Sequence, residues 1–383
     1  MNKLSTHLNC YGCGVCAVAC PTKAISIELN AEGFYHPSII DDKCVDCGMC
    51  ESVCSFLHED IKCELYDIHS YASWSLNPRV RQLSSSGGVT YEIVSDLLKK
   101  GYKACLVRYN IDSHVAEHYI AESVEDLERA YGSKYIQSYT LDALFKLDFS
   151  HKYVVVGTPC MIDSLKRLAI KKKATNNFIF IDFFCHGVPS YLLWDKYIKF
   201  REHKCGRISN VIFRYKNNGW QDSLKLCITG DNDKYVGGIN QRDIFYKLFL
   251  EDYCLGKACY HNCKFKMERS SADIRVGDMW GRLYKDNKEG VSAVLAMSQR
   301  GNEILTNIRE LHLQAYPLMD VAEGQMPKPP IEPYSRRLIL KALLSNSSDF
   351  HQETAILLII SIYRKLQKLV SQPIVLIRNR FMK

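Results

Sequence analysis

The stretch CYGCGVCAVACP, residues 10–21, together with CVDCGMCESVC, residues 44–54, decides how this chain begins to fold. Both stretches repeat the spacing C-x2-C-x2-C-x3-C, which holds a pair of [4Fe–4S] clusters. Three closely spaced thiolates wrap one cube, and the fourth cysteine crosses to the other cube. We therefore expect one cluster on Cys10, Cys13, Cys16 and Cys54, and a second cluster on Cys44, Cys47, Cys50 and Cys20.

Zinc knuckles and disulfides are the alternatives to clusters. Zinc sites usually use pairs of C-x2-C rather than two repeated quartets. Residues 1–9 contain no apolar stretch that would serve as a signal peptide. We therefore expect a reducing cytoplasm, in which thiolates stay available for metal.

The charge is distributed unevenly over the 383 residues, a length that suffices for two or three domains. Residues 1–60 contain three lysines and eight acidic residues, a net charge of −5, against +13 for the remainder. Acidic residues around a cluster domain steer basic partners. The basic remainder suits an anionic cofactor, an acidic partner or a membrane surface. No recognition motif for nucleic acid accompanies this charge, so we expect no such partner.

Four regions follow from the pattern along the chain. Residues 1–60 are expected to form an α+β ferredoxin-like domain with two [4Fe-4S] clusters. A mixed α/β region is expected over residues 68–150 and 151–324. Residues 334–383 carry nine basic and two acidic residues and are expected to form a basic helical tail. An ordinary packed helix and a docking site for a membrane surface or an acidic partner are the two interpretations of this tail.

The middle of the chain contains a βαβ unit. Tyr153–Gly157 and Phe178–Phe184 are continuous apolar strands, and Pro159–Leu168 between them has a helical pattern. This order predicts two parallel strands. Pro159 fits the first helical position, so Cys160 falls in the first turn, where the helix dipole favours a thiolate.

Further cysteines are expected to meet at the edge of this sheet. Cys185 follows the second parallel strand, and the carboxyl ends of parallel strands share one edge, so Cys160 and Cys185 should converge. With the later pair this predicts a third [4Fe-4S] cluster on Cys160, Cys185, Cys259 and Cys263. Buried thiols without metal are the alternative. His186 is a candidate catalytic acid or base, or a residue that structures its own loop.

Two loops have the composition of an anion site. The sequence SSSGG, residues 84–88, immediately precedes a helical stripe, where backbone N–H groups and serine hydroxyls can bind phosphate. The loop at residues 132–138 adds a lysine, an aromatic ring and polar groups. A serine helix cap and a plain surface loop would look the same. The candidate cofactor-binding residues are Ser85, Ser86, Gly87, Gly88, Ser133, Lys134, Tyr135 and Gln137.

These blocks, in this order, resemble the beta-subunit family of coenzyme F420 hydrogenases and dehydrogenases, from Cys10 to about Gly281. Beyond the cysteine quartets, the landmarks are the segments SSGG at 85–88, GSKY at 132–135, GTPC at 157–160, CHGVPS at 185–190, FRYK at 213–216, GW at 219–220 and DIRVGDMWG at 273–281. Departures from the family pattern are Ser55 in place of proline, Met161 in place of glutamine, and C-x3-C at Cys259–Cys263 in place of C-x2-C.

The resemblance implies FAD, iron–sulfur clusters and electron transfer between a two-electron carrier and one-electron centres. The expected function is that of an iron–sulfur flavoprotein oxidoreductase that exchanges electrons with a ferredoxin or another redox partner protein and with a soluble two-electron carrier. The alternative is a non-catalytic electron-transfer subunit serving a partner enzyme, for instance in polysaccharide biosynthesis. The family does not determine the substrate, because similar chains occur in bacteria that lack the deazaflavin coenzyme.

Overall fold

The computed structural model describes residues 9–61, 67–261, 263–345, 347 and 349–363. Its strands are β1 Ile25–Leu29, β2 Tyr35–Ile39, β3 His69–Ser75, β4 Lys103–Asn110, β5 Val115–Ala121, β6 Ser138–Tyr139, β7 Tyr153–Val156, β8 Phe178–Phe183, β9 Ile208–Ile212, β10 Lys225–Gly230, β11 Lys234–Gly238, β12 Ile274–Asp278, β13 Ser292–Ala296 and β14 Leu311–Ala315. The described part of the chain thus combines helices with three separate sheets.

The α-helices are mostly short. They are α1 Val15–Ala19, α2 Met49–Ser52, α3 Pro78–Leu83, α4 Val89–Lys99, α5 Leu141–Leu144, α6 Pro159–Lys171, α7 Tyr191–Cys205, α8 Ile244–Leu250, α9 Lys257–His261, α10 Gln299–Asn307, α11 Leu318–Val321 and α12 Arg336–Leu343. Residues 351–363 form a further helix, α13. None of the described helices is long and apolar enough to span a bilayer.

The N-terminal module contains both cysteine quartets. Its strands β1 and β2 pair antiparallel, with Ile25 opposite Ile39. Helices α1 and α2 each begin after a glycine with a left-handed backbone, Gly14 at φ 73° and Gly48 at φ 67°. A side chain would be strained at this angle, so glycine lets each ligand loop turn directly into its helix.

A nine-stranded mixed sheet forms the centre of the molecule, in the order β14-β3-β13-β12-β8-β7-β4-β5-β6. The predicted βαβ unit is confirmed, because β7 and β8 pair parallel, with Tyr153 opposite Phe178. Strand β12 pairs parallel to β8. Downstream, β9 and β10 pair antiparallel within a three-stranded sheet.

The two faces of the large sheet are covered differently. Helices α4 and α10 cover one face, through apolar side chains such as Ile93 and Leu305. The other face packs against α5 and α6, and Val15 and Val53 of the N-terminal module enter the same core. Burial of apolar surface therefore holds the module on the sheet.

Polar contacts fix the orientation of the module. Thr140 Oγ1 donates to the carbonyl oxygen of Cys13 at 2.9 Å. Lys264 Nζ donates to three carbonyl oxygens of the module, those of Ser55, His58 and Asp60. Since these bonds join segments far apart in sequence, the cysteine loops are held rigidly against the rest of the protein.

The predicted tail is described only in part. Helices α12 and α13 are present, which agrees with the helical prediction for this region as far as residue 363. Residues 364–383 lie outside the described part of the chain, as does Cys63.

Candidate functional site

Four cysteines line a first cavity beside the sheet. The loop that carries three of them turns at Gly12, whose φ is 67° and where a Cβ would lie only 2.5 Å from the carbonyl oxygen of Tyr35. The four lining thiols belong to Cys10, Cys13, Cys16 and Cys54. The last cysteine of the second quartet therefore faces the first triplet.

The second cavity has the reciprocal composition. Its four lining thiols belong to Cys20, Cys44, Cys47 and Cys50. Cys47 is exposed, whereas Cys50 is buried. The backbone N–H of Ala24 donates to Cys20 Sγ at 3.3 Å. Each quartet thus contributes three thiols to one cavity and one to the other, the arrangement that crossed ligation of two clusters requires.

The chemistry of the first donor set fits a cationic cluster. Burial, followed by the neighbouring Cys13 thiol, raises the pKa of Cys10 to about 12. Burial and the same thiol raise the pKa of Cys54 to about 11. Without a positive charge these thiols would stay protonated at neutral pH, so their ionisation depends on bound iron.

Each cavity offers the donor set of a [4Fe-4S] cluster, namely four cysteine thiols. A cubane distributes its four ligands over four irons, so its cysteines lie further apart than the ligands of one ion. Among the described residues, no group of three or more histidine, cysteine or acidic side chains converges tightly enough to hold one ion.

The four cysteines of the predicted third site also come together. Cys160 lies in the first turn of α6, and its Sγ is 3.3 Å from Thr158 Oγ1. Cys185 follows β8, and Cys259 lies in α9, with Cys263 just after that helix. The two strand-end cysteines therefore meet the late pair at the carboxyl edge of the sheet, as the βαβ pattern predicts.

The thiols of the third group lie close enough to raise one another's pKa values. Burial, then the thiol of Cys185, raises the pKa of Cys259 to about 12. Burial raises the pKa of Cys185 to about 11. The positive charge of Lys266 lowers this pKa, whereas the thiol of Cys263 raises it further. The pKa of Cys160 is raised mainly by burial, with added repulsion from Cys13 and Cys185. The donor set again needs bound positive charge to ionise.

Tyr11 lies between the first cavity and the third cysteine group. Its pKa is raised by burial and then by the thiols of Cys160, Cys263, Cys259 and Cys54. Its ring meets Phe56 edge-on at 5.6 Å and Phe265 at 6.2 Å. An aromatic cluster therefore fills the space that separates the two cysteine groups.

The serine–glycine loop is fixed to the sheet. Gly87 N–H donates to Ser292 Oγ at 3.0 Å, and a Cβ on Gly87 would lie 2.5 Å from the carbonyl oxygen of Ser73. Ser86 Oγ donates to the carbonyl oxygen of Val291 at 2.7 Å. The loop then enters α4 through Gly88, at φ 85°. The N–H groups of the first turn of that helix have no partner within the helix.

The second predicted loop lies directly against the first. Ser133 N–H donates to Ser85 Oγ at 2.7 Å. Lys134, however, directs its ammonium group at three carbonyl oxygens, those of Val107, Ala130 and Tyr131. Burial lowers its pKa to about 7. All three N–H donors of the Lys134 ammonium group are used within the protein. The sequence suggests Lys134 as a positive charge beside a bound phosphate, but these bonds hold the ammonium group against the backbone instead.

Two other predicted flavin residues have structural partners. Gln137 joins the sheet to the N-terminal module: its Oε1 accepts from Tyr35 N–H at 2.9 Å. The hydroxyl of Tyr135 accepts from Arg214 at 3.1 Å, and its ring lies 5.5 Å from that of Phe249. The helix start and the serine loop therefore fit a phosphate group better than these side chains do.

His186 directly follows Cys185 of the third cysteine group. Its Nε2 is 2.8 Å from Asp252 Oδ1, with an angle outside that of a hydrogen bond. Its ring meets Phe249 edge-on at 5.1 Å. Lys266 Nζ holds the backbone here by donating to the carbonyl oxygens of Cys185 and His186. These contacts agree with a residue that structures its loop, and the catalytic role stays a prediction.

Sequence reasoning missed two basic residues under the serine loop, the half-buried Lys216 and the buried Arg214. Lys216 Nζ donates to the carbonyl oxygens of Arg81, Ser86 and Glu289. Burial, then the charge of Arg214, lowers the pKa of Lys216 to about 7. Arg214 itself bonds Asp278 at 2.8 Å. The segments FRYK and DIRVGD were visible as landmarks, but their convergence on this loop was not.

Two family models cover most of the chain. The N-terminal and C-terminal models of the coenzyme F420 hydrogenase/dehydrogenase beta subunit match residues 70–145 and 150–318. A 4Fe-4S dicluster domain matches residues 9–56. The clusters predicted from the quartets are thereby supported at the level of the domain.

Two curated relatives show local similarity. One subunit of the F(420)H(2) dehydrogenase of Methanosarcina mazei is 28% identical over 163 residues, which is 40% of this chain and 46% of the relative. Coenzyme F420-dependent sulfite reductase of Methanocaldococcus jannaschii is 28% identical over 177 residues, which is 44% of this chain and 26% of the relative. The chain thus spans less than half the length of either relative.

A solved structure is also similar. The F420-reducing [NiFe] hydrogenase complex from Methanosarcina barkeri contains a chain with a TM-score of 0.46 and 15% identity, over 67% of this chain and 84% of that chain. The two family models together with the dicluster match establish that this iron–sulfur protein belongs to the coenzyme F420 hydrogenase/dehydrogenase beta-subunit family.

Proposed function

We propose that this chain is an oxidoreductase subunit that moves electrons along three [4Fe-4S] clusters to a flavin. The observation that carries this proposal is the order of the three cysteine groups. Cys50 of the second cavity lies close enough to Cys16 and Cys54 of the first to affect their pKa values. Cys13 of the first cavity affects Cys160 of the third group in the same way. The second cavity, the first cavity and the third cysteine group therefore follow one another in space and form a continuous path for electrons.

The outer end of this path is the second cavity. Cys47 is exposed there, and beside it Val45 is 64% exposed and Ile40 is 41% exposed. Asp41, Asp42 and Asp46 surround these apolar side chains on the exposed surface. We infer that a basic redox partner protein, such as a ferredoxin-type carrier with a basic face, exchanges electrons here.

The inner end lies at the sheet edge near the serine–glycine loop. The N-terminus of α4 and the hydroxyl of Ser85 would hold a phosphate of FAD. Bound FAD supplies the conversion between one-electron and two-electron transfer. The chain's contribution is to fix the loop, through Lys216 and Ser292.

A soluble two-electron carrier is the inferred partner at this inner end. Two relatives have names that refer to coenzyme F420, a carrier of this kind. The net charge of +13 outside residues 1–60 suits an anionic carrier of this kind.

One observation favours a second candidate, a cluster-only electron-transfer subunit that serves a partner enzyme. The polar groups of Lys134 and Gln137 are engaged within the protein. Without these two side chains, the flavin site consists of one helix start and one loop. A subunit of this kind would deliver electrons to a separate catalyst, for instance one that modifies polysaccharide.

Anaerobic purification with quantified iron and flavin distinguishes the two candidates. The flavoprotein should contain about 12 iron atoms, four for each of three clusters, together with stoichiometric FAD. Its flavin should be reduced by dithionite-reduced ferredoxin. Full iron content with no flavin, and no uptake of added FAD, would establish the cluster-only subunit instead.

A further inference from the structure

Helix α13 has two apolar sides, and the described part of the chain covers one of them. One side packs into the core through Glu353 and Leu357, together with Phe350 just before the helix, which are 0%, 7% and 6% exposed. The opposite side presents large apolar side chains to solvent, namely Leu358 at 61% exposed, Ile359 at 65%, Ile362 at 49% and Tyr363 at 60%. Helices that are apolar all round are normally covered all round, but no described residue covers this outer face.

The helix is anchored, so its outer face has a fixed position. Lys196 of α7 donates to Glu353 Oε1 at 2.7 Å, and both side chains are buried. Lys196 Nζ also donates to Ser345 Oγ at 3.1 Å. A buried, hydrogen-bonded ion pair specifies one orientation of α13, because breaking it would leave a charge in the core.

The preceding helix shows the same combination of side chains. At α12, Leu338 and Leu344 are 58% and 57% exposed, and Tyr334 before it is fully exposed. Arg337 and Lys341 are exposed on the same short helix. Exposed aliphatic and aromatic side chains next to lysine and arginine are typical of helices that lie in the interface of a membrane.

The charge of the residues that follow α13 indicates which lipid headgroups such a helix would bind. Residues 364–383 contain six basic residues, Arg364, Lys365, Lys368, Arg378, Arg380 and Lys383, and no acidic residue. Basic residues next to an apolar helix face are attracted by anionic lipid headgroups. Protein interfaces, by contrast, are depleted in lysine at their core.

We propose that the outer face of α13 binds the surface of an anionic bilayer, with Leu358, Ile359, Ile362 and Tyr363 in the headgroup region. The apolar run Ala355–Tyr363 is too short to span a membrane, so the helix lies on it. This attachment is independent of the electron path, since the cysteine groups take no part in it.

Sedimentation of the full-length holoprotein with lipid vesicles tests the proposal. The protein should sediment with vesicles of phosphatidylcholine mixed with phosphatidylglycerol, more weakly at high salt, and little with phosphatidylcholine alone. The double variant Leu358→Glu/Ile362→Glu should weaken binding by about tenfold or more, because two apolar contacts are replaced by repelled charges.

The matched control is Ile170→Glu/Ile239→Glu, which changes two side chains of similar exposure, 44% and 48%, elsewhere on the surface. It should bind like the wild type. Iron content and circular dichroism of each variant report folding, and Leu358→Ser/Ile362→Ser offers a milder change if the glutamate pair misfolds.

Three results would overturn the proposal. The first is no binding to either kind of vesicle. The second is binding that the double variant retains, which would assign it to residues 364–383 alone. The third is a concentration-dependent dimer in light scattering that the double variant abolishes, which would show that a second copy of this chain covers the face.

Discussion

Gln137 Oε1 accepts a hydrogen bond from the backbone N–H of Tyr35 at 2.9 Å, and its Nε2 donates to the carbonyl oxygen of Tyr11 at 3.2 Å. The side chain is 6% exposed. The side-chain amide of Gln137 therefore joins the large sheet to strand β2 and to the first ligand loop of the cluster module. This contact fixes the first cavity relative to the sheet.

Replacing Gln137 by leucine should destabilise the protein by about 2 kcal/mol, because two buried backbone groups lose this partner. Anaerobic chemical unfolding of the holoprotein measures the change. The control is Gln299→Leu, at an exposed glutamine on α10, which should change the free energy of unfolding by less than about 0.5 kcal/mol. Equal effects of the two changes would contradict a joining role for Gln137.

Crossed ligation predicts where the loss of one thiol is felt. Cys20 lines the cavity of Cys44, Cys47 and Cys50, so Cys20→Ala should damage the cluster in that cavity. Paramagnetic resonance of the reduced protein should show loss of one cluster signal, while Cys16→Ala removes the other. Cys227→Ala, at a buried thiol in β10, should leave both signals and the iron content unchanged. If Cys20→Ala and Cys16→Ala remove the same signal, the crossed assignment is wrong.

A cluster on the third cysteine group would raise the iron content above the amount that the first two cavities can hold. Cys185→Ser should lower the iron content from about 12 to about 8 atoms per chain, with both N-terminal cluster signals retained. Cys254→Ala is the matched control, because Cys254 is fully buried nearby and its Sγ contacts the carbonyl oxygen of Leu248. A wild-type protein with only about 8 iron atoms after anaerobic reconstitution would refute the third cluster.

His118 should make stability depend on pH. Burial lowers its pKa to about 4, although the backbone of Val156 and Tyr139 opposes the shift. The unfolded chain takes up the proton first as pH falls, so the stability that His118 contributes above about pH 6.5 is lost between about pH 6.5 and pH 4. Between about pH 7.5 and pH 5.5, the wild type should lose roughly 1 kcal/mol that His118→Phe does not lose.

The measurement is chemical unfolding of the holoprotein at both pH values. His151→Phe is the control, because the side chain of His151 is 59% exposed, and this variant should keep the pH dependence of the wild type. An identical pH dependence in His118→Phe would show that His118 does not titrate in this range.

The sequence predicted the elements that depend on residues close together along the chain. Ligand spacing identifies the two cysteine quartets, because iron geometry limits how thiols can be spaced along one loop. Apolar periodicity identified β7, α6 and β8, and the parallel pairing of β7 with β8 placed Cys160 and Cys185 at one edge.

Contacts between distant segments could not be predicted in this way. The partner of Gln137 is 102 positions away along the chain, and the loop that Lys216 holds is 130 positions away. The edge strand β14 pairs with β3, although more than two hundred residues separate them. Such pairings depend on the packing of the whole molecule, so the roles of Lys134 and Gln137 were visible only in the fold.

Thr90 offers a charge probe of the flavin site that the fold tolerates. Gly88 is unsuitable, because its φ is 85° and a Cβ there would lie 3.0 Å from Val80 Cγ1. Thr90 is the second residue of α4 and is half-buried. An aspartate at this position is favourable for the helix dipole and repels a bound phosphate.

Thr90→Asp should therefore weaken FAD binding by about tenfold or more while the iron content stays unchanged. Titration of flavin-depleted holoprotein with FAD, followed by absorbance, gives the affinity. Thr90→Asn is the matched neutral control and should bind FAD like the wild type. If Thr90→Asp binds FAD with wild-type affinity, the phosphate does not lie at the start of α4. If the wild type binds no FAD at all, the chain is a cluster-only subunit, and its electrons must pass directly from the third cysteine group to a partner enzyme.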